Sequence, residues 1–301
     1  MGSYTFEMYE YTDKLNRTLE AKLPNSLQLK STSSSEAILL RLLMGKVYYK
    51  KINGSTKKIQ NVDYTCLPFT NISTLTCEAF KQVFGVDITE AETADICNKY
   101  FRINRKNSEV NNFLLSEITL YFYEVKTSPI SAFVHLYRCL EYMSYSFPMI
   151  YASKTRNYIG SYESLKKFLS GDSTGELGFL RRFIDELFKD EPTILAYEFE
   201  INISSMQVEV MREECKRVFG NVFVYDFETT VFKINFKNML SLFITLRNRY
   251  FHMLVGKGQV NFKALNYDIN ELFEIFNPHL LNWFSIVFSR IIQHGFESSI
   301  L

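Results

Sequence analysis

The sequence predicts a mainly helical chain of the α+β class, and three observations carry that prediction. Glycine and proline are scarce, 12 and 6 in 301 residues, which favours long uninterrupted elements over a many-turned all-β fold. Apolar residues make up 47% and aromatics 16%. That is enough to bury a sizeable core, so disorder and a small stapled fold are both excluded. From about residue 108 onward, apolar residues recur at spacings of three and four, the helical period. At roughly 150 residues per domain the length predicts two domains. The first, 1–107, is a mixed α/β sensor or targeting domain. The second, 108–301, is a helical domain with a small α/β insertion near 193–236.

In the first domain, Ser35 is placed to cap a helix over 36–44, which Gly45 stops. Residues 46–52 (KVYYKKI) read as a strand entering a turn at Asn53-Gly54. Lys50, Lys51, Lys57 and Lys58 flank that turn as a solvated hairpin. Thr89, with Glu92 three residues on, forms a capping box for a helix over 89–100. The nearest things to linkers are Thr32-Ser33-Ser34-Ser35, Asn53-Gly54-Ser55-Thr56 and residues 102–107.

In the second domain, residues 111–126 (NNFLLSEITLYFYEVK) form one long candidate helix. Ser128 and Pro129 open the next, with Phe133, Leu136, Leu140, Met143 and Phe147 along one face and Pro148 at its expected end. Shorter helices follow near 164–169 and 176–188. Residues 193–203, 221–227 and 230–236 are β-branched and aromatic with partial alternation, and 208–219 between them read as a helix. These make the α/β insertion. A helix over 238–255, stopped by Gly256, and another opened by Asn277-Pro278 and ended by Gly295 close the chain. Two long helices joined by a loop predict an antiparallel pair in a bundle.

Charge narrows the function classes. Lys+Arg number 34 and Asp+Glu 33, a formal net of +1. A chain that coats nucleic acid shows a basic excess, so any such contact here is a local patch. Cys66, Cys77, Cys97, Cys139 and Cys215 are scattered without a CxxC pair. That excludes a zinc ribbon and fits a reducing cytosol. The polar, acidic start is unlike a secretory signal, and no apolar run reaches ~18 residues. A cytoplasmic protein without a membrane partner is therefore expected. With no HExxH motif, Gly-rich phosphate loop or paired-carboxylate signature, no metal and no cofactor are expected.

The helix over 238–255 carries the chemistry. Steps of about 100° per residue place Ser241, Thr245, Asn248 and His252 on one stripe. Leu242, Phe243, Leu246, Tyr250, Phe251 and Met253 fill the other faces. Arg247 stands about 140° around from His252, and both side chains are long enough to converge on one ligand. A polar seam on a buried helix needs partners: another helix, a second copy of the chain, or a bound phosphate. An Arg and a His at this spacing more often form a satisfied structural cluster than a site. In a site, His252 exchanges protons near neutral pH. Arg247 stays charged and offers a planar fork of donors to phosphate oxygens. Asn248, one turn before His252, orients the imidazole or the phosphate. Of the other histidines, His135 reads as a core or edge residue and His279 as solvated. His294 reads as a cation suited to the last turn of the final helix.

Arg247-Asn248-Arg249-Tyr250-Phe251-His252 resembles the signature of HEPN ribonucleases: arginine, a polar residue, three more residues, then histidine. Residues 131–143 (SAFVHLYRCLEYM) resemble an opening helix of the same family, in which an aromatic-rich run ends in Leu-Glu. The resemblance covers about residues 110–295, with the α/β stretch as an insertion. It implies a HEPN-like helical bundle and a metal-independent endoribonuclease that cuts tRNA or other single-stranded loops, as a toxin or anti-phage abortive-infection effector. Arg247, His252 and Asn248 would be its catalytic residues, and Arg249, Glu141 and Thr245 its substrate-binding residues. It also implies a homodimer in which two such helices face each other in one composite site, and a phage-derived trigger or regulatory protein as a further partner. In toxin–antitoxin HEPN pairs a tyrosine often stands two residues past the histidine and is modified by the partner. Here that position is Leu254, so silencing by that route is not expected. The alternative is a non-catalytic HEPN module that binds a nucleotide or a protein. A third possibility is an unrelated helical interaction protein, in which the seam is structural.

Overall fold

A computed structural model describes residues 3–154, 158–169, 176–203, 208–220, 224–226, 230–251, 261–263 and 267–300. It opens with a strand pair that the polar, acidic start conceals. Strands β1 (Ser3–Phe6) and β2 (Tyr9–Asp13) join β3 (Val47–Lys51) and β4 (Lys58–Gln60) in an antiparallel sheet of order β1-β2-β3-β4. Tyr9, Tyr11 and Asp13 of β2 alternate inward, as a pleated strand with one buried face requires. The short α1 (Arg17–Lys22) is capped by Asn16, whose side chain accepts the Leu19 N–H.

Helix α2 (Ser35–Met44) is buried along its whole length, which its near-continuous apolar sequence permits. Its cap is Ser34, one residue before the expected Ser35, and Gly45 does stop it. Gly45 has φ +87°, and a Cβ there would meet the Val62 carbonyl oxygen at 2.8 Å, so only glycine fits. The small hairpin β5 (Val62–Asp63) and β6 (Thr70–Asn71) follows, then α3 (Cys77–Phe84) and α4 (Ala91–Ile103). Thr89 does not cap α4; its N–H and hydroxyl are both taken by Asp87, and the helix starts after Glu90. A local Asp turn outcompetes the capping box.

The remaining elements are α5 (Ser108–Glu124), α6 (Pro129–Lys154), α7 (Tyr158–Leu169), α8 (Glu176–Leu187), α9 (Pro192–Leu195), β7 (Glu198–Asn202), α10 (Val208–Phe219), β8 (Val224–Asp226), β9 (Val231–Asn235), α11 (Met239–Phe251) and α12 (Ile269–Ile300). Strands β7, β9 and β8 form an antiparallel sheet in that order, and with α10 they make up the expected α/β segment. Helix α6 packs against both α5 and α12, α2 packs on α5, and α12 reaches α3 and α4 as well. One apolar cluster runs from Tyr9 to Phe296, so packing is continuous across residues 107 and 108.

Three expected helix ends are corrected. Helix α6 continues through Pro148 to Lys154, and α12 begins well before Pro278 and runs through Gly295 to Ile300. Each proline forfeits one helical hydrogen bond, and burial of the surrounding turns outweighs that loss. Phe147 and Phe288 pack together across the two helices beside Pro148. Asn277, wholly buried, donates to the Pro129 carbonyl beside Pro278. The lysines of the β3–β4 hairpin are also not simply solvated. Lys50 pairs with Glu10, Lys57 lies over Tyr48, and Lys58 lies over Tyr123 and donates to its carbonyl. No described helix is long and apolar enough to cross a membrane.

Candidate functional site

Helix α11 is started by Asn235, whose side chain accepts the N–H of Asn238. Leu240, Leu242, Phe243 and Leu246 are its buried face. Phe243 meets Trp283 of α12 with ring centres 5.9 Å apart. It also faces Phe133 of α6 at 6.3 Å, and Phe251 stacks on that same ring at 5.9 Å with the planes 8° apart. Residues four apart on one helix face share a stripe, so Phe243, Arg247 and Phe251 form the edge of α11 that lies on α6.

Arg247 therefore comes to rest on α6. Its guanidinium carbon lies 5.4 Å from the Tyr137 ring centre, and Nη1 donates to Asn248 Oδ1 at 2.9 Å. A guanidinium over a ring face is held by the ring's quadrupole without losing its charge. Among the described residues no carboxylate pairs with it. Glu141 follows Tyr137 by one turn of α6 and is half-buried, on the same side of that helix. This arrangement can hold a cation in fixed orientation.

The seam on α11 is used in part by its own subunit. Ser241 Oγ accepts Nη2 of Arg181 from α8 at 2.8 Å. Thr245 and Asn248 are half-buried. Arg249 is half-buried too, and its carbonyl accepts the Phe262 N–H, tying 261–263 to the helix. His252 and Leu254 lie outside the described residues, and so does the expected convergence of His252 with Arg247.

Of the other histidines, His135 takes the edge position expected of it, and two are placed differently from expectation. His135 sits in a polar bridge: its Nδ1 is 2.7 Å from Glu117 Oε2, and Arg138 Nη1 is 2.9 Å from Glu117 Oε1. The Glu117 side chain is only 5% exposed, so this bridge joins α5 and α6 through a buried carboxylate. His279 is half-buried, where a solvated position was expected. It lies edge-on to Phe69 at 5.2 Å and near Phe199 at 6.4 Å, and burial pushes its imidazole down to about 4. His294 is not in a last helical turn, because α12 continues past it; it stacks on Tyr151 of α6 at 4.1 Å.

Two features escaped sequence reasoning. A hollow of about 400 Å³ lies between Phe69, Tyr197, Phe199, His279 and Asn282. Its walls come from three distant segments, so no local motif marks it. A second hollow joins the two linker-like stretches at 32–35 and 102–107; their serines and arginines were the available signal. Among the described residues, no three His, Cys, Asp or Glu side chains are grouped to hold a metal ion. In comparisons with known proteins, no family model matches the chain, and no curated protein or solved structure is significantly similar to it.

Proposed function

We propose that the chain is a metal-independent endoribonuclease of the HEPN type, acting on tRNA or other single-stranded loops as a toxin or anti-phage effector. The observation that carries this reading is Arg247. Its guanidinium is laid on Tyr137, tied to Asn248, and has no described carboxylate partner. A half-buried cation held in this way favours an anion beside it, and a scissile phosphate is such an anion. His252 supplies proton exchange, taking the 2′-hydroxyl proton or returning one to the leaving 5′-oxygen. Asn248 fixes the guanidinium. Glu141, Thr245 and Arg249 border the substrate. A single helix supplies one histidine, so the full acid–base pair comes from a second copy across a twofold axis.

The test is incubation of total tRNA with the protein in EDTA, read on a denaturing gel, with circular dichroism melts of each variant. Cleavage is expected in the parent chain. It should fall by about a hundredfold or more in His252→Ala, as for loss of a general acid–base, and by a similar factor in Arg247→Ala, with both variants folded. Intact RNA with the parent chain would leave the non-catalytic binding module as the better reading.

A further inference from the structure

Two stretches that read as connectors in the sequence meet in the fold. Ser33 and Ser34 precede the first turn of α2, and Arg102 and Arg105 stand three residues apart at the end of α4 and just beyond it. Between them is a hollow of about 330 Å³. Asn25 and Asn98 complete its polar wall, and no carboxylate lines it. Arg105 spans the hollow, donating through Nη2 to the Thr32 carbonyl. Neither arginine has a carboxylate partner among the described residues. Lys30 stands on the same loop, its Nζ held by Asn25 Oδ1 at 2.8 Å.

A second hollow of about 290 Å³ adjoins the first and shares Ser33, Ser34 and Arg105 with it. Asn104 lines it. That residue is 5% exposed and lies beside the Tyr100 hydroxyl, and the buried Glu36 lines the same hollow. The first turn of α2 adds further donors. Ser34 Oγ takes the N–H of Ala37, while the N–H groups of Ser35 and Glu36 have no acceptor within the helix. The positive end of a ten-residue helix thus abuts the two guanidiniums that line the first hollow.

We propose that the first hollow binds a phosphate group. Arg102 and Arg105 clamp its oxygens, and the Ser34 hydroxyl and Asn98 Nδ2 donate from the polar wall. Guanidinium pairs suit this task because their planar donor forks match phosphate oxygens. The phosphate is either a terminal group or a diester of a nucleic-acid backbone; both present the same oxygens. The proposal stands without the nuclease reading.

The experiment is calorimetric titration of the full chain with inorganic phosphate, at ionic strength held constant with chloride. It is run in an Arg247→Ala background so that the guanidinium on α11 does not contribute. Saturable binding is expected. Arg102→Gln with Arg105→Gln should weaken it by about tenfold or more. Lys189→Gln with Lys216→Gln removes two positive charges that do not line the hollow and should leave affinity within about twofold, as expected of screened charges outside the site. Melts check that every variant is folded. Competition by a short single-stranded DNA, with and without a 5′-phosphate, separates the sources. Displacement by the phosphorylated form alone assigns a terminal phosphate, and displacement by both assigns a diester. No phosphate-specific binding, or equal binding in the arginine variant and the control, overturns the proposal.

Discussion

Arg41 shows what a single residue contributes here. It is wholly buried in α2, and its guanidinium meets Asp13 Oδ1 at 2.5 Å, the Leu27 carbonyl at 2.6 Å and the Phe80 ring at 5.8 Å. Asp13 in turn accepts the Leu29 N–H at 2.9 Å. The pair ties β2, α2 and the 25–29 loop together. Buried ions are tolerated only while paired, and removing one partner strands the other. Asp13→Ala and Arg41→Met should each cost about 3–5 kcal/mol in urea unfolding. The double variant should cost clearly less than their sum, because no unpaired charge remains. Additive costs would show that the two do not act as one unit. The pair was not legible in the sequence. Arg41 lies in an apolar helical run, where an arginine reads as the helix's outward face, and its partner sits on a strand hidden in a polar, acidic stretch.

At the scale of elements, more was legible. The α/β segment, the start of α6 at Pro129 and the stop at Gly45 all follow from local rules, and local rules decide them. The ends of α6 and α12 do not, because packing overrides the proline at each. In α12 that override has a chemical consequence. Since the helix passes through Pro278, His279 is carried inward against Phe69 and Phe199 and is largely shielded from water. The ordinary imidazole value is 6.5, and burial lowers it to about 4. At pH 7 the ring is neutral in both the folded and the unfolded chain and contributes nothing. On acidification the unfolded chain takes up its proton first, so stability falls as pH drops from 6.5 toward 4. One such group accounts for up to about 3 kcal/mol. His279→Gln should remove that component, so the stability gap between parent and variant should shift steadily in the variant's favour across this window. A gap that stays constant between pH 7 and pH 4.5, by urea unfolding, would refute it. The candidate site divides in the same way. The shared stripe of Ser241, Thr245 and Asn248 follows from 3.6-residue periodicity, whereas the ring of Tyr137 beneath Arg247 depends on how α6 and α11 cross.

The whole molecule is joined through α12. Its single tryptophan, Trp283, is wholly buried and donates from Nε1 to the Phe236 carbonyl at 3.1 Å, beside Phe243 of α11. Further along the same helix, Phe296 meets Phe84 of α3 at 5.2 Å and Tyr100 of α4 at 6.1 Å. One rigid element thus links the surroundings of the tryptophan to the first 107 residues, and the apolar cluster is continuous between them. A chain built this way should unfold as one cooperative unit. Tryptophan fluorescence, which reports the C-terminal side, and far-UV circular dichroism, which reports all helices, should share one urea midpoint. Phe296→Ala opens a cavity at the remote end and should cost about 3–5 kcal/mol. In a single unit that loss lowers both midpoints equally, although Phe296 lies more than three helical turns from Trp283 along α12. A fluorescence midpoint that stays in place while the dichroism transition splits in two would show that α12 does not transmit the loss, and that the first 107 residues unfold on their own.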